Sequence, residues 1–550
     1  MMKIVTLAVR IVEIVMIRIC LIFYINFLFT MIPYSSSFQS NNDMINSNSS
    51  GFLPSNSIVD LRLAQDRIIF GTSGGLGYMD INDNYIFGTF ESSNLPYGSN
   101  PAVIAKEEII AVSGGQMVEV AGGIYPSGTG IGYSLDNGNT WSYKYQSIDP
   151  IPSDGLYQTI SWGTQDLKQL SVTTEINNIS YDLAIIGDYI YSTSWAGGLR
   201  RFKFQNLDIG EPDEELNPWE IIPLPMDNQY TLDCDFIDTE MYELNPNDPI
   251  NGGSHNHKGF SVYSSNDTIL WVGTAAGINK GIINQETGCI NWEHYNATIH
   301  GFSGNWVIGF NHQLIDDYER IWAITWSTGT SEKNAISYSN DGGLTWNVPD
   351  QLRDLNLKFY NIFSKNNTIY ASSEQGLYIS NNGEYWAKIS DIEGIDGQKI
   401  LSETVYSTIE IDYNSQMLWL GTPDGLAYTS NLGIDWEIIR FWGDNDDDVF
   451  YAYPNPFYIN EINQFNNEGF VRFVFKNASN NSKLDIFNFA MEKVIELNNN
   501  IVINNSLYSN SGEFLWNGRN SYGHKVSNGV YFCRLKNNNN IYWSKLMVIN

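Results

Sequence analysis

Three side-chain groupings in this 550-residue chain are of types that do chemistry. The first is SNDGGLTW (339–346), with its near copy SLDNGNTW (134–141); both follow S-x-D-x-G-x-T-W and set one carboxylate among hydroxyls. The residues are Ser134, Asp136, Gly138, Thr140 and Trp141, and Ser339, Asp341, Gly343, Thr345 and Trp346. The second is the H-x-H of SHNHKG, His255 and His257. On a strand both imidazoles would face one side and could share a metal ion, whereas a solvated polar loop is the plainer reading. The third is DNDDD (444–448), which could attract Ca²⁺ but lacks the sixth-position glycine and terminal Glu of a calcium loop, so a solvated hinge fits it better.

Recurrence decides what the first grouping is. TSNLGIDW (429–436) keeps the frame with Asn431, Gly433 and Trp436, and SNNGEYW (380–386) is one residue short. A grouping repeated along a chain is scaffolding rather than a single reaction centre. The Asp or Asn oxygen is expected to accept a backbone N–H two residues on, closing a turn. The glycine tolerates positive φ there, and the tryptophan carries apolar area into the packing between repeats.

Around these turns runs a larger unit: an apolar strand, a turn of the form G/S-T-x-x-G-L/I, and another short strand. It appears at 68–80, 269–281, 369–380 and 417–430, more loosely from Tyr189 and Arg320, with a seventh candidate at 109–133. This predicts an all-β chain, with four-stranded units repeating radially as a β-propeller over 53–442 and an insertion near 205–260. Seven blades is the expected number, with six or eight open.

The short motifs resemble the Asp-box, the sialidase-type repeat that joins the third and fourth strands of a propeller blade. That resemblance raises sialidase activity, which needs three arginines from different blades and a carboxylate-activated Tyr. The propeller segment offers Arg62, Arg67, Arg200, Arg201, Arg320, Arg353 and Arg440, without an R-I-P signature and with Arg200 and Arg201 adjacent in one strand. Sialidase chemistry is therefore disfavoured. Glycoside hydrolysis more broadly needs two carboxylates flanking the scissile bond, and the sequence nominates no pair and no catalytic residue. Trp195 (STSWAGG), Trp306 (SGNWVIGF) and Trp326 (AITWSTG) would form a stacking surface for sugar rings or a protein partner if their turns share a face; inter-blade packing is the alternative.

After an acidic hinge at 443–450, the segment 451–550 alternates apolar and polar residues with Asn, Gly and Ser turns, as in a small antiparallel sandwich. YPNPF (453–457), LDIFNFAMEKV (484–494), WNGRNSYGHKVSNGVYFCRL (516–535) and KLMVI resemble the C-terminal sorting domain of type IX secretion cargo, itself similar to the Ig-like domain of flagellar hook-capping proteins. The matching residues are Pro454, Asn455, Pro456, Gly518, Asn520, Gly523, Gly529, Tyr531 and the last-strand basic residue Lys545. The resemblance implies an Ig-like sandwich and export across the outer membrane, with the secretion machinery as partner. Phe489-Ala490-Met491 departs from the family, which more often has a glycine-containing turn. An accessory module without a sorting role is the alternative.

The N-terminal run MIRICLIFYINFLFTMIPYSSSFQS (16–40) has the charge, apolar stretch and small residues of a secretory signal. Residues 1–37 are read as that signal, with Met16 as an alternative start, cleavage near Ser37, and 38–52 as linker; a retained anchor is the alternative. With Cys20 in the signal, Cys234, Cys289 and Cys533 remain, an odd set without CxxC spacing, and a Cys234–Cys289 bridge is left open. A net charge of −31 speaks against nucleic-acid binding. The sequence thus reads as an exported, non-catalytic binding propeller for a glycan or surface protein. It would be carried through the periplasm to the cell surface or medium, with no membrane span after signal cleavage. No cofactor is expected, Ca²⁺ or another metal being left open. A secreted polysaccharide hydrolase and a structural or adhesive surface protein are the competing readings.

Overall fold

The computed structural model describes residues 53–550 except 82–85, 151, 153–155, 205–217, 235–236, 238–241, 247–253, 316–317, 395–396, 414, 441–449, 461–463, 466–467, 477, 499–501 and 507–508. The expected signal, the linker and the DNDDD run lie outside the described residues, apart from Phe450 of the expected hinge.

Among the described residues, antiparallel meanders follow one another over 58–89, 103–144, 182–222, 259–295, 306–339, 359–389 and 407–439. The first strands of these meanders are Ile58–Ala64, Val103–Lys106, Asp182–Ile186, Gly259–Asn266, Trp306–Ile315, Phe359–Lys365 and Ser407–Tyr413. Each packs against the next, and Ser407–Tyr413 packs back onto Ile58–Ala64. The sheets therefore form a closed ring with their first strands innermost, the arrangement of a β-propeller.

The sequence dictates this locally. In the G-T-x-x-G turn the Thr72 hydroxyl donates to Gly75 O (2.8 Å) and accepts from Gly74 N–H (3.1 Å), and Thr274, Ser373 and Thr422 do the same in their own turns. Gly75, Gly277 and Gly425 sit at φ 137°, 132° and 125°, conformations that disfavour any Cβ. The apolar strands then bury both faces between neighbouring sheets. Ile69 and Val112 fill the first such layer, Ile131 and Phe202 the next, and Val272, Trp271, Trp322 and Leu420 lie in those that follow. Ile58, Phe70, Trp419 and Leu426 close the layer between the last and first sheets.

Polar side chains of the innermost strands clasp the next strand along. Asp60 accepts from Val103 N–H (2.9 Å), Asp182 from Val262 N–H (3.1 Å), Asn361 from Thr408 N–H (3.3 Å) and Ser407 from Leu61 N–H (3.0 Å). These bonds satisfy backbone donors that have no ladder partner between radial sheets.

The segment anticipated as an insertion is woven into the sheets. Glu220–Ile222 is the outer strand of the third sheet, and Thr231–Leu232 adds a fifth strand to the fourth. Glu243–Leu244 pairs in parallel with Gln165–Leu170 of an outlying hairpin. Cys234 and Cys289 are disulfide-bonded and tie this region to the fourth sheet.

The tail has two facing sheets. One contains Phe450–Tyr453, Val471–Lys476, Ser509–Trp516 and Val502–Ser506; the other contains Phe457–Tyr458, Asn540–Ile549, Gly529–Asn537, Lys483–Phe487 and Lys493–Leu497. Phe473, Phe514, Ile486, Cys533 and Leu546 fill the space between them. The GRN turn closes through Asn520, whose side chain accepts from Tyr522 and His524 N–H (both 3.0 Å), with Gly518 and Gly523 at positive φ. Asn455 bonds to Lys545 O (2.9 Å) and Met547 N–H (3.0 Å), joining YPNPF to the last strand, and the Tyr531 hydroxyl donates to Ser527 O (2.7 Å).

Candidate functional site

Strand direction separates the ring into two faces. Each innermost strand begins, and each second strand ends, at what we term the proximal face; the turns joining third to fourth strands lie at the distal face. The S-x-D-x-G-x-T-W turns all fall at the distal face, at the junctions after Gly123–Ser134, Ala335–Ser339, Gly376–Ser380 and Gly425–Thr429.

Their geometry repeats. Ser134 and Ser339 donate to Asp136 and Asp341 (2.8 and 2.7 Å) and accept from Gly138 and Gly343 N–H (both 2.8 Å). Each carboxylate accepts the N–H and hydroxyl of the threonine four residues on, Thr140 or Thr345. At Asp136 and Asp341 the span is four residues rather than the two anticipated, whereas in the shorter SNNGEYW turn Asn382 accepts from Glu384 N–H two residues on (2.9 Å). Trp141, Trp346 and Trp386 each donate Nε1–H to the box glycine's carbonyl, and their rings pack on Phe90, Trp271 and Trp322 of the preceding sheet. Asn431 keeps the frame by accepting from Asp435 N–H (3.0 Å), and Trp436 is buried against the sixth sheet. These turns belong to separate sheets along the distal rim, those of the fifth and sixth sheets being bridged by Arg320, which bonds to both Asn340 and Asn382.

The proximal face carries the other chemistry. Trp195 lies in the turn after strand Tyr189–Ser194, and Trp306 opens the innermost strand of the fifth sheet. Their ring centroids are 6.3 Å apart and perpendicular in attitude (78°), with Phe260 5.5 Å from Trp195 and 5.6 Å from Trp306. Tyr181 extends the group at 6.4 Å from Phe260. Trp326 faces Trp306 across the strand pair, and from it the line continues to Tyr360 (6.0 Å) and Tyr406 (5.5 Å from Tyr360). An aromatic arc thus runs along the proximal ends of the third to seventh sheets. Trp195, Trp306 and Tyr360 are half-buried, whereas Trp326 is buried and donates Nε1–H to Phe359 O (2.9 Å). Of the three tryptophans singled out from sequence, Trp195 and Trp306 therefore present ring surface and Trp326 supports them from below. Sequence reading missed Phe260, Tyr181, Tyr360 and Tyr406; the available signal was an aromatic residue at or just before the first strand of five successive repeats.

Cations border the arc. Lys258 Nζ lies 4.9 Å from the Trp195 ring and Lys358 Nζ 5.0 Å from Trp326. Burial pushes the Tyr406 phenol up to about 12, with Tyr453 of the tail adding to the shift, so the phenol stays protonated near neutrality. Half-buried rings of this kind can stack on the apolar face of a sugar ring or on a peptide side chain.

Deeper in the ring, burial raises the Asp60 carboxyl and raises Asp182 to about 7, with Arg62 opposing both shifts. Each of these carboxylates also accepts a neighbouring backbone N–H, the clasp described above. The seven arginines do not gather. Arg62, Arg67, Arg200, Arg201, Arg353 and Arg440 pair with Asp60, Asp80, Asp149, Glu220, Asp350 and Asp424 respectively, and Arg320 bonds to Asn340 and Asn382.

His255 and His257 lie in a 3₁₀ turn rather than on a strand. His257 is fully buried, and burial lowers its imidazole to about 4, while His255 is half-buried. Among the described residues no three His, Cys, Asp or Glu side chains gather as a metal site, and no helix is long and apolar enough to cross a membrane.

No protein-family model and no curated protein matches the chain. Among solved structures it is similar to PorZ, an essential bacterial surface component of the type IX secretion system of Porphyromonas gingivalis (13% identity, 93% of this chain and 78% of that one, TM-score 0.28). It is also similar to YCF48 bound to D1 peptide (14%, 72% and 97%, TM-score 0.36) and to an ancestral GH74 enzyme (14%, 71% and 48%, TM-score 0.38). The propeller rests on the chain's own strand order and inter-sheet layers, not on these likenesses.

Proposed function

We propose that this chain is an exported, non-catalytic binding protein: a seven-bladed Asp-box propeller that holds a glycan or protein ligand on the aromatic arc of its proximal face. The arc carries the reading, since it brings rings of successive blades together, with Trp195, Trp306 and Tyr360 half-buried over the buried Phe260, Trp326 and Tyr406, beside Lys258 and Lys358. The Asp-boxes serve as rivets at the opposite face. A hydrolase would need a carboxylate pair open to substrate, and Asp60 and Asp182 instead clasp neighbouring strands.

The tail acts, in this reading, as an Ig-like C-terminal sorting domain that engages the secretion machinery, with an N-terminal signal directing the first export step. Its support is the motif set Pro454, Asn455, Pro456, Gly518, Asn520, Gly523, Gly529, Tyr531 and Lys545, most of which shape turns or join the first and last strands of the sandwich.

Glycan-array and peptide-array binding run together with a reducing-sugar release assay tests the function. Binding without sugar release is expected. Release of reducing ends at enzymatic rates, or an array blank for both classes, would overturn it.

A further inference from the structure

The outward side of the tail's five-stranded sheet does not have the composition of a water-facing surface. Along Asn540–Ile549, Leu546 and Val548 point into the sandwich, and the alternating outward set is Ile541, Trp543, Lys545 and Met547. Register places Val530 beside Met547, Phe532 beside Lys545, and Arg534 beside Trp543. A sheet face in water normally carries polar side chains at such positions. Here Ile541 is 58% exposed and Trp543 49%, with Met547 and Val530 also exposed.

The turn after Lys483–Phe487 adds to this face. Phe489 is 79% exposed and its ring lies 6.3 Å from Phe532, while Met491 is 52% exposed. Met491 also sits at φ +61°, where glycine is cheaper. Asn488 already closes the turn through its bonds with Glu492. Folding therefore asks for neither a large apolar side chain at 489 nor a non-glycine at 491.

Charge supplies the second observation. The chain as a whole has 30 Lys and Arg against 61 Asp and Glu, whereas residues 450–550 have nine against six. The excess cations sit on this sheet. Lys493, Arg534 and Lys536 gather around Asp485, and Lys483 lies by Glu496. Lys545 stands exposed in the row between Trp543 and Met547.

We propose that this face docks peripherally on an anionic lipid surface: Phe489, Met491, Trp543 and Met547 enter the headgroup layer while the surrounding lysines and Arg534 meet its phosphates. Scattered aliphatic side chains such as Ile541 and Met547 suit acyl chains better than sugar rings, and a tryptophan among lysines is the usual make-up of an interfacial surface. The strongly acidic remainder of the chain is repelled by such a surface, so docking has one orientation, tail face down.

The test is co-sedimentation of the chain from Phe38 onward, which removes the apolar N-terminal run, with vesicles of phosphatidylcholine alone or of equal parts phosphatidylcholine and phosphatidylglycerol. Binding to the anionic vesicles at least about tenfold tighter than to neutral ones is expected, weakening with salt. Lys536→Glu with Lys545→Glu should weaken it by at least about tenfold, at roughly fivefold per lysine lost. Phe489→Ser with Met491→Gly should weaken it severalfold in a tail at least as stable, because glycine relieves the positive φ. Trp306→Ala should leave it unchanged, which separates this surface from the propeller site. Equal binding to both vesicle types, no binding, or binding indifferent to these tail substitutions overturns the proposal. So does equal affinity for soluble polyglutamate. Charge reversal that alters only self-association in sedimentation velocity also overturns it, and assigns the face to a second copy's acidic propeller.

Discussion

Arg472 of the tail and Asp424 of the seventh sheet's G-T-x-x-G turn form a buried ion pair at 2.7 Å. Arg472 also bonds to Glu513 and to Lys399 O, and Arg440 reaches the same Asp424 oxygen at 3.2 Å. All four charged side chains are almost wholly shielded from water. Propeller and tail are therefore joined by a charge cluster on the proximal side of the ring. Removing one partner of such a cluster strands the others. Arg472→Ala is expected to cost about 3–5 kcal/mol. Urea unfolding followed by tryptophan fluorescence and near-ultraviolet dichroism should show one coincident transition in the parent and an early tail transition in the variant. Coincident, unshifted transitions in the variant would contradict this.

The disulfide gives a second expectation. Cys234 and Cys289 are 55 residues apart in sequence, and closing a loop of that length restricts the unfolded chain by about 4 kcal/mol in the entropic account. Cys234→Ser with Cys289→Ser should lower the unfolding midpoint, and reductant should then have no further effect. Reductant sensitivity that persists in the double variant would show that the bridge is not the cause.

Acid should weaken the tail through Asp485. Burial alone would raise this carboxyl, but bonds from Lys493 and Arg534 outweigh it and lower it from 3.8 to about 2. A carboxyl lowered by folding stabilises above its unfolded value, and that stabilisation is lost as pH falls from near 4 towards 2. Tail stability should drop across that window in the parent, and Asp485→Asn should flatten the drop. An unchanged pH profile in the variant would place the acid sensitivity elsewhere.

How far the sequence reveals the molecule differs between parts. The Thr-x-x-Gly and Ser-x-Asp-x-Gly-x-Thr-Trp turns are legible because each depends on bonds within five or six residues, and Thr72–Gly75 and Ser339–Thr345 make theirs internally. The Asn455 contact to the last strand is not legible, since it joins residues ninety apart in sequence. The arc is half legible. Trp195 stands out as a tryptophan in a turn and Trp306 as one close to the Trp326 turn, but Phe260, Tyr360 and Tyr406 read as ordinary strand aromatics until ring closure brings successive strand starts together. Trp326 shows the reverse: its turn position suggests exposure, yet the Trp306–Trp326 pairing buries it. The H-x-H spacing misleads because the chain enters the fourth sheet through a 3₁₀ turn, in which period-two facing does not apply.

The box residues should matter for stability alone. Trp346→Ala empties a layer between sheets and is expected to cost about 3–5 kcal/mol. Asp341→Ala removes two bonds from Thr345 and one from Ser339 at a solvent-facing turn and is expected to cost about 1–2 kcal/mol. Thermal unfolding checks both, and a larger effect for Asp341 than for Trp346 would be inconsistent with a packing role.

The most direct measurement is calorimetric titration of the strongest array ligand into the parent, Trp306→Ala and Asp341→Ala. Trp306→Ala should lower affinity at least about tenfold in a variant that still unfolds cooperatively, while Asp341→Ala lowers the melting temperature and leaves affinity intact. Affinity lost with Asp341 and retained without Trp306 would move the binding site to the distal face and contradict the proposal that the S-x-D-x-G-x-T-W turns are rivets.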